Sequence, residues 1–299
     1  MKNSKRILGL FVLVLAYASV GTAAAPPLTF KFKDVNAKGA IETDTYGVND
    51  SNAITGDYID SSGVQHGMIL EGTKLTTIDD PKGTATTGND INNAGVVVGY
   101  YTNRSNVLTG FEYSKRKFHD IAPPGSLATE ALGINDKGDV VGLFIDSAGQ
   151  HGFLRLAKTK KYTKLDVPGG YNTTTAWGIN NQGWITLYAY DSTETVYSFL
   201  KVGKNYKKLA GPEGSAGTIA RAINKEGDIV GKYFPSFGGQ DGWLLLGAKK
   251  GNGGTYYTFG DPKAQNNTRA DGLNDNRVIV GRYTPIAGGD SVGFEATVK

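Results

Sequence analysis

The chain contains no cysteine, which rules out disulfide staples and thiolate metal ligands alike. Stability in an oxidising compartment must then come from packing and hydrogen bonds. Histidine is nearly absent as well. The three present, His66, His119 and His151, show no zinc-type spacing, and no residue pattern calls for a metal or a cofactor. Beyond the first two dozen residues no stretch is apolar enough to cross a bilayer, which takes about 20 residues. No long helical period runs through the sequence, and three catalytic signatures are missing: the G-x-S-x-G nucleophile elbow, a sialidase-type S-x-D-x-G-x-T-W box, and a glycine-rich phosphate loop ahead of a helix.

The N-terminus reads MKNSKRILGLFVLVLAYASVGTAAAPP. Lys2, Lys5 and Arg6 precede an apolar run from Ile7 that ends in small residues, the order of a secretory signal peptide, with cleavage expected near Ala24. Residues 1–24 are therefore read as an export leader and 25–299 as one domain, extracellular or periplasmic, with no membrane span once the leader is gone. The leader holds three of the basic residues and no acidic one, so its loss takes the formal charge from +4 to +1. A near-neutral chain offers no global electrostatic case for a nucleic-acid partner.

What the sequence has is glycine, 42 residues of it, with abundant Tyr, Thr and Val, a composition of short strands joined by tight turns. Asn49, Asn92, Asn135, Asn180, Asn224 and Asn274 recur at spacings of 43, 43, 45, 44 and 50. A period in the forties with strand-like content marks propeller blades. In the third unit, Gly133–Asn135 ends a first strand, and Asn135-Asp136-Lys137-Gly138 turns the chain into a second over 139–145. A third is expected over 151–156 and a fourth over 162–167, ended by Pro168-Gly169. The fourth strand recurs five times for six asparagines. The missing copy is the alternating stretch Thr29–Val35, while the chain stops after a third strand. The expectation is an all-β fold: a six-bladed β-propeller of four-stranded blades, the last closed by the N-terminal strand over 29–35, which leaves no half-made blade edge.

The recurring G-I-N-D-x-G-D-V-V-G and H-G-F motifs, as in Gly133–Gly142 and His151–Phe153, resemble the bacterial extracellular HAF repeat proteins across essentially the whole mature chain. That resemblance implies export and repeated β-structure and transfers no activity. The second unit departs from it at Asp90, the fourth at Leu187 and Tyr197-Ser198, and the sixth at Arg277.

Residues that recur in every unit are those the turns require, so the six asparagines read as structural. Lys115-Arg116-Lys117, Lys158, Lys160, Lys161, Lys204, Lys207, Lys208 and Lys249-Lys250 should line one rim, mainly as a solvated edge that discourages sheet aggregation. The informative positions are those that differ between units. Three residues before each asparagine stand Tyr46, Asn89, Leu132, Trp177, Arg221 and Asp271, with Asp44, Glu130, Thr175 and Arg269 nearby. A fixed scaffold with a variable set of aromatic, acidic and basic groups is how a propeller writes a site in its channel-mouth loops. The candidate ligand-binding residues are Tyr46, Asn89, Glu130, Trp177, Arg221, Arg269 and Asp271: rings to stack on a sugar, charged groups to hydrogen-bond it. The first reading is a binding protein for an extracellular polysaccharide or a protein partner. The alternatives are a carbohydrate-active hydrolase or lyase using the carboxylates Asp44, Glu130 and Asp271, and a structural envelope or matrix component.

Overall fold

A computed structural model describes residues 12–16, 27–248, 253–265, 267–286 and 289–299. In the third unit Ala128–Ile134, Val140–Asp146, Gly149–Arg155 and Tyr162–Leu165 form an antiparallel four-stranded sheet in chain order. The last strand is two residues shorter than expected. At Asp166 the chain leaves the ladder, and its carboxylate pairs with His151 Nδ1 at 2.9 Å. Four further units repeat the sheet, and among the described residues there is no helix.

Five of the six asparagines do two jobs. Asn135 Oδ1 accepts from the N–H groups of Lys137 (3.1 Å) and Asp139 (2.9 Å), a local bond that fixes the turn. Gly138 there takes φ 79°, and in the sixth unit Arg277 takes the same left-handed place at φ 59°. The other end of the amide reaches sideways: Asn135 Nδ2 donates to the Asn180 carbonyl at 3.2 Å. The same bond runs from Asn49 to Asn92, Asn92 to Asn135, Asn180 to Asn224, and Asn274 back to Asn49. Asn224 donates instead to Asp228 within its own turn. The repeated residue thus stitches neighbouring blades, and the last stitch joins the sixth blade to the first.

The ring closes as the N-terminal strand requires. Leu28–Val35 pairs antiparallel with Val292–Val298, Phe30 opposite Val298 and Val35 opposite Gly293. Reciprocal backbone bonds between Thr29 and Lys299 (2.9 and 3.0 Å) seal the end. Phe30 is fully buried, stacked on Phe259 at a centroid distance of 4.5 Å, and Phe32 meets Phe294 edge-on at 5.2 Å. The first strands of the six units touch in cyclic order, Thr268–Leu273 meeting Ala40–Val48. The protein is therefore a closed six-bladed β-propeller. Val12–Ala16 adds a fifth strand outside Leu28–Val35. It falls within the expected leader, and cleavage near Ala24 would leave this blade with four strands like the others.

Antiparallel order puts the asparagine turns and the third-to-fourth turns on one face of the ring. Exposed Lys115, Arg116, Lys158, Lys160, Lys161 and Lys204 lie on the latter, while Lys117, Lys207 and Lys208, expected there too, belong to the fourth strands Lys117–Ile121 and Asn205–Lys208; Lys249-Lys250 lies outside the described residues. The second-to-third turns and the connections between blades occupy the opposite face.

Candidate functional site

All six first strands carry a β-bulge at the same place, interrupting the register between Thr45 and Gly47, Gly88 and Asp90, Ala131 and Gly133, Ala176 and Gly178, Ala220 and Ile223, and Ala270 and Gly272. The extra residues are Tyr46, Asn89, Leu132, Trp177, Arg221 with Ala222, and Asp271. A bulge bends its strand and re-aims a side chain, so the blade-variable positions found in the sequence are the ones the backbone singles out. They do not lie in channel-mouth loops, as expected, but within the strands that form the channel wall. The reason is geometric: the first strand runs along the channel and the asparagine ends it, so three residues earlier is still wall. Neighbouring walls approach closely beside the bulges. A Cβ on Gly178 would come within 2.6 Å of the Arg221 carbonyl.

Four of the seven expected residues, Trp177, Arg221, Arg269 and Asp271, come into contact. Asp271 is buried and holds two guanidiniums, Arg221 through Nη1 and Arg269 through Nε at 3.3 Å. The Arg221 guanidinium lies over the Trp177 ring at 3.8 Å. Tyr46 hydroxyl donates to Asp44 Oδ2 (3.2 Å) and accepts from Arg282 Nη1 (2.9 Å). Asn89 differs from the others: buried, it donates to the Ala131 carbonyl of the next blade at 3.0 Å and acts as another stitch. Glu130 lies two residues before the third bulge.

The second strands supply residues that the sequence reading missed. Directly opposite Asp44, Thr87, Glu130, Thr175, Ile219 and Arg269 stand Asp57, Tyr100, Leu143, Tyr188, Lys232 and Arg282. Their signal was available: each follows the repeated Gly of the second strand, or Leu187 in its place, and each differs from blade to blade. Tyr100 feels Glu130, Asp57 and Arg269, and Tyr188 feels Arg221 and Glu130, so groups from all six blades share one electrostatic environment.

Burial dominates their titration. It pushes the Asp57 carboxyl up to about 7, against the Thr87 and Gln65 hydrogen bonds that favour the anion, and raises Glu130 to about 7 as well. Burial, helped by the positive charges of Arg221 and Arg269, brings Lys232 down to about 7. Two acids and a base of the channel wall thus change charge near neutrality, and perturbed groups of this kind concentrate at functional sites. Asp90, also raised to about 7 by burial, accepts from Ile134 N at 2.9 Å and serves the blade junction.

Two cavities open on the channel. The one at the asparagine face, 80 Å³, is ringed by the six asparagines and by Tyr46, Trp177 and Asp271. The other, 220 Å³, opens where blades five, six and one meet and is lined by Glu42, Gln240, Asn267, Arg269, Arg282 and Ser291. Here Arg282 is paired with Asp44, and the Ser291 hydroxyl sits between Asp44 and Glu42, 2.7 Å from Glu42 Oε1. Lys232 Nζ donates to Gln240 Oε1 at 2.7 Å. The conspicuous histidines serve elsewhere: His66 pairs with Asp79 at 2.8 Å and His151 with Asp166, each within its own blade. Among the described residues no three His, Cys, Asp or Glu side chains cluster as metal ligands would.

Fold and channel together define a β-propeller with a repetitive scaffold and a non-repeating wall. The same architecture is found in a gluconolactonase, XC5397 from Xanthomonas campestris, at a TM-score of 0.55 and 11% identity over 99% of each chain. The Aleuria aurantia lectin, solved with Fucα1-6GlcNAc, superposes at 0.54 with 13% identity over 87% of this chain and 96% of its own. The SapL1 lectin, solved with α-methyl fucoside, gives 0.53 and 13% over 86% and 92%. At such identities the likeness is one of fold. No protein-family model matches the chain, and no curated protein matches it in sequence.

Proposed function

We propose that this is an exported carbohydrate-binding propeller of the HAF repeat type, acting in the periplasm or outside the cell, and that it recognises its sugar in the 220 Å³ cavity and the adjoining channel wall. One observation carries the reading. Within a scaffold that repeats down to its turn asparagines, the wall changes from blade to blade, and there it gathers Arg221, Lys232, Arg269, Asp271 and Arg282 beside an open polar cavity. Directional donors and acceptors on a small concave surface suit a polyhydroxylated ligand. Sugar-bound lectins and a gluconolactonase among propellers of the same fold support the choice of ligand class.

Isothermal titration of the exported protein against a panel of monosaccharides and polysaccharides, with product assayed in the same samples, tests it. At least one sugar is expected to bind. Gln240→Ala, which removes a cavity amide and with it the acceptor of Lys232 Nζ, should weaken that binding about tenfold in a protein that still unfolds cooperatively. Binding of no sugar, or a Gln240→Ala protein that binds as tightly as its parent, would contradict the reading. Release of product would move it to a hydrolase or lyase. Glu130 and Asp57 would then be the acid–base candidates, because Asp44 and Asp271 are already engaged in ion pairs with arginines.

A further inference from the structure

The cavity where blades five, six and one meet is asymmetric in charge. Its cationic side presents Arg269 and Arg282, the latter paired with Asp44, with Lys232 reaching Gln240 on its edge. Asp271 serves two guanidiniums, one per oxygen, so a single negative charge answers two positive ones. Arg221 Nε, fully buried, has no hydrogen-bond acceptor among the described residues, and Lys232 is bonded to a neutral amide rather than a carboxylate. Beside the Arg282–Asp44 pair sit acceptors, Glu42 and the Ser291 hydroxyl. The connections that supply Gln240, Thr284 and Gly289 to the lining also carry Phe237 and Ile286, 79% and 67% exposed.

We infer that this cavity takes a single acidic sugar residue of the uronate class, its carboxylate toward Arg269, Arg282 and Lys232 and its hydroxyls donating to Glu42 and Ser291. The inference rests on the carbohydrate reading above and narrows it. Guanidinium recognises carboxylate through paired N–H groups, and a cavity of 220 Å³ is smaller than the ~300 Å³ at which pockets for larger ligands begin. Phe237 and Ile286 offer a surface for the C–H face of a ring.

The charge state of the wall sets a direction with pH. Lys232 faces Arg221, Arg269 and Asp271, and Asp57 faces Glu42, Arg269, Thr87 and Gln65. As pH rises through about 7, Lys232 loses its positive charge while Asp57 and Glu130 gain negative ones. Both changes disfavour an anion, so uronate affinity falls from pH 6 to pH 8.

The test is calorimetric titration of the exported protein with glucuronate and galacturonate, with glucose and galactose as neutral parents, and with acetate and sulfate as simple anions, at pH 6 and pH 8. At pH 6 one uronate should bind about tenfold more tightly than its neutral parent, with a loss of about fivefold at pH 8. Lys232→Met should weaken uronate binding at pH 6 and flatten its pH dependence while the thermal midpoint holds or rises. A neutral sugar bound as tightly as its uronate overturns the acidic class and leaves the carbohydrate reading standing. Acetate or sulfate bound as tightly as the uronate reduces the cavity to a plain anion site and overturns the inference. A Lys232→Met protein that matches its parent at both pH values overturns the cationic side as drawn. Failure of every sugar overturns the carbohydrate reading itself.

Discussion

Phe30→Ala should lower the unfolding free energy by about 3 to 5 kcal/mol, the cost of truncating a buried phenylalanine and leaving a cavity. Few single residues concentrate so much of the fold. Phe30 belongs to the strand that comes first in the domain and pairs last in space, opposite Val298, and its ring stacks on Phe259 of the preceding blade. Truncation loosens the join within the sixth blade and the join between blades five and six together. Around it, Lys263 Nζ reaches Asp34 of the closing strand, and Tyr283 hydroxyl donates to the same carboxylate at 3.1 Å. Lys33→Ala on the exposed side of that strand is the control, expected to stay within about 0.5 kcal/mol. Urea unfolding of both variants decides the matter. A Phe30→Ala midpoint equal to the parent's would mean that the strand contributes nothing to closure.

Asp271→Ala should cost a similar amount, about 3 to 5 kcal/mol, by leaving buried charge uncompensated. Asp271 is 1% exposed and is the shared partner of Arg221 and Arg269, so its loss unpairs two cations at once. The informative variant is the double one. Adding Arg221→Met removes one stranded charge and leaves an apolar side chain beside Trp177, so Asp271→Ala/Arg221→Met should be more stable than the sum of the single changes implies. A coupling of about 1 to 3 kcal/mol is expected, whereas strict additivity would mean that the pair does not interact in solution. The same geometry corrects a natural choice of binding probe: Trp177→Ala with Arg221→Ala would disturb stability as well as any ligand, because Arg221 is part of a buried ion network.

The ring was legible because its information is local and repeated. Asn135 and its five counterparts announce a turn through residue chemistry that acts within four positions, and the count of fourth strands against asparagines pointed to Thr29–Val35 as the closing piece. The lateral bond from Asn135 to the Asn180 carbonyl was not legible. A side-chain amide that fixes its own turn looks the same in sequence whether or not its other end reaches a neighbour 45 residues away. The wall was half legible. Variability drew attention to Tyr46, Trp177, Arg221 and Asp271, yet nothing in their spacing distinguished a bulge in a strand from a loop at the mouth. Lys232 and Arg282 were overlooked because a lone charged residue in an alternating strand ordinarily faces water. Only the curvature of the ring turns that position toward the channel.

Hydrogen exchange of the chain from residue 25 onward, with and without a saturating sugar from the binding panel, bears most directly on whether recognition lies in the channel wall. Protection should concentrate in Ser215–Ile223, Ile229–Pro235, Thr268–Leu273 and Val278–Tyr283, the first and second strands of blades five and six. Protection confined to the lysine-bearing turns of the asparagine face, with those four strands unchanged, would place the site elsewhere and contradict the assignment.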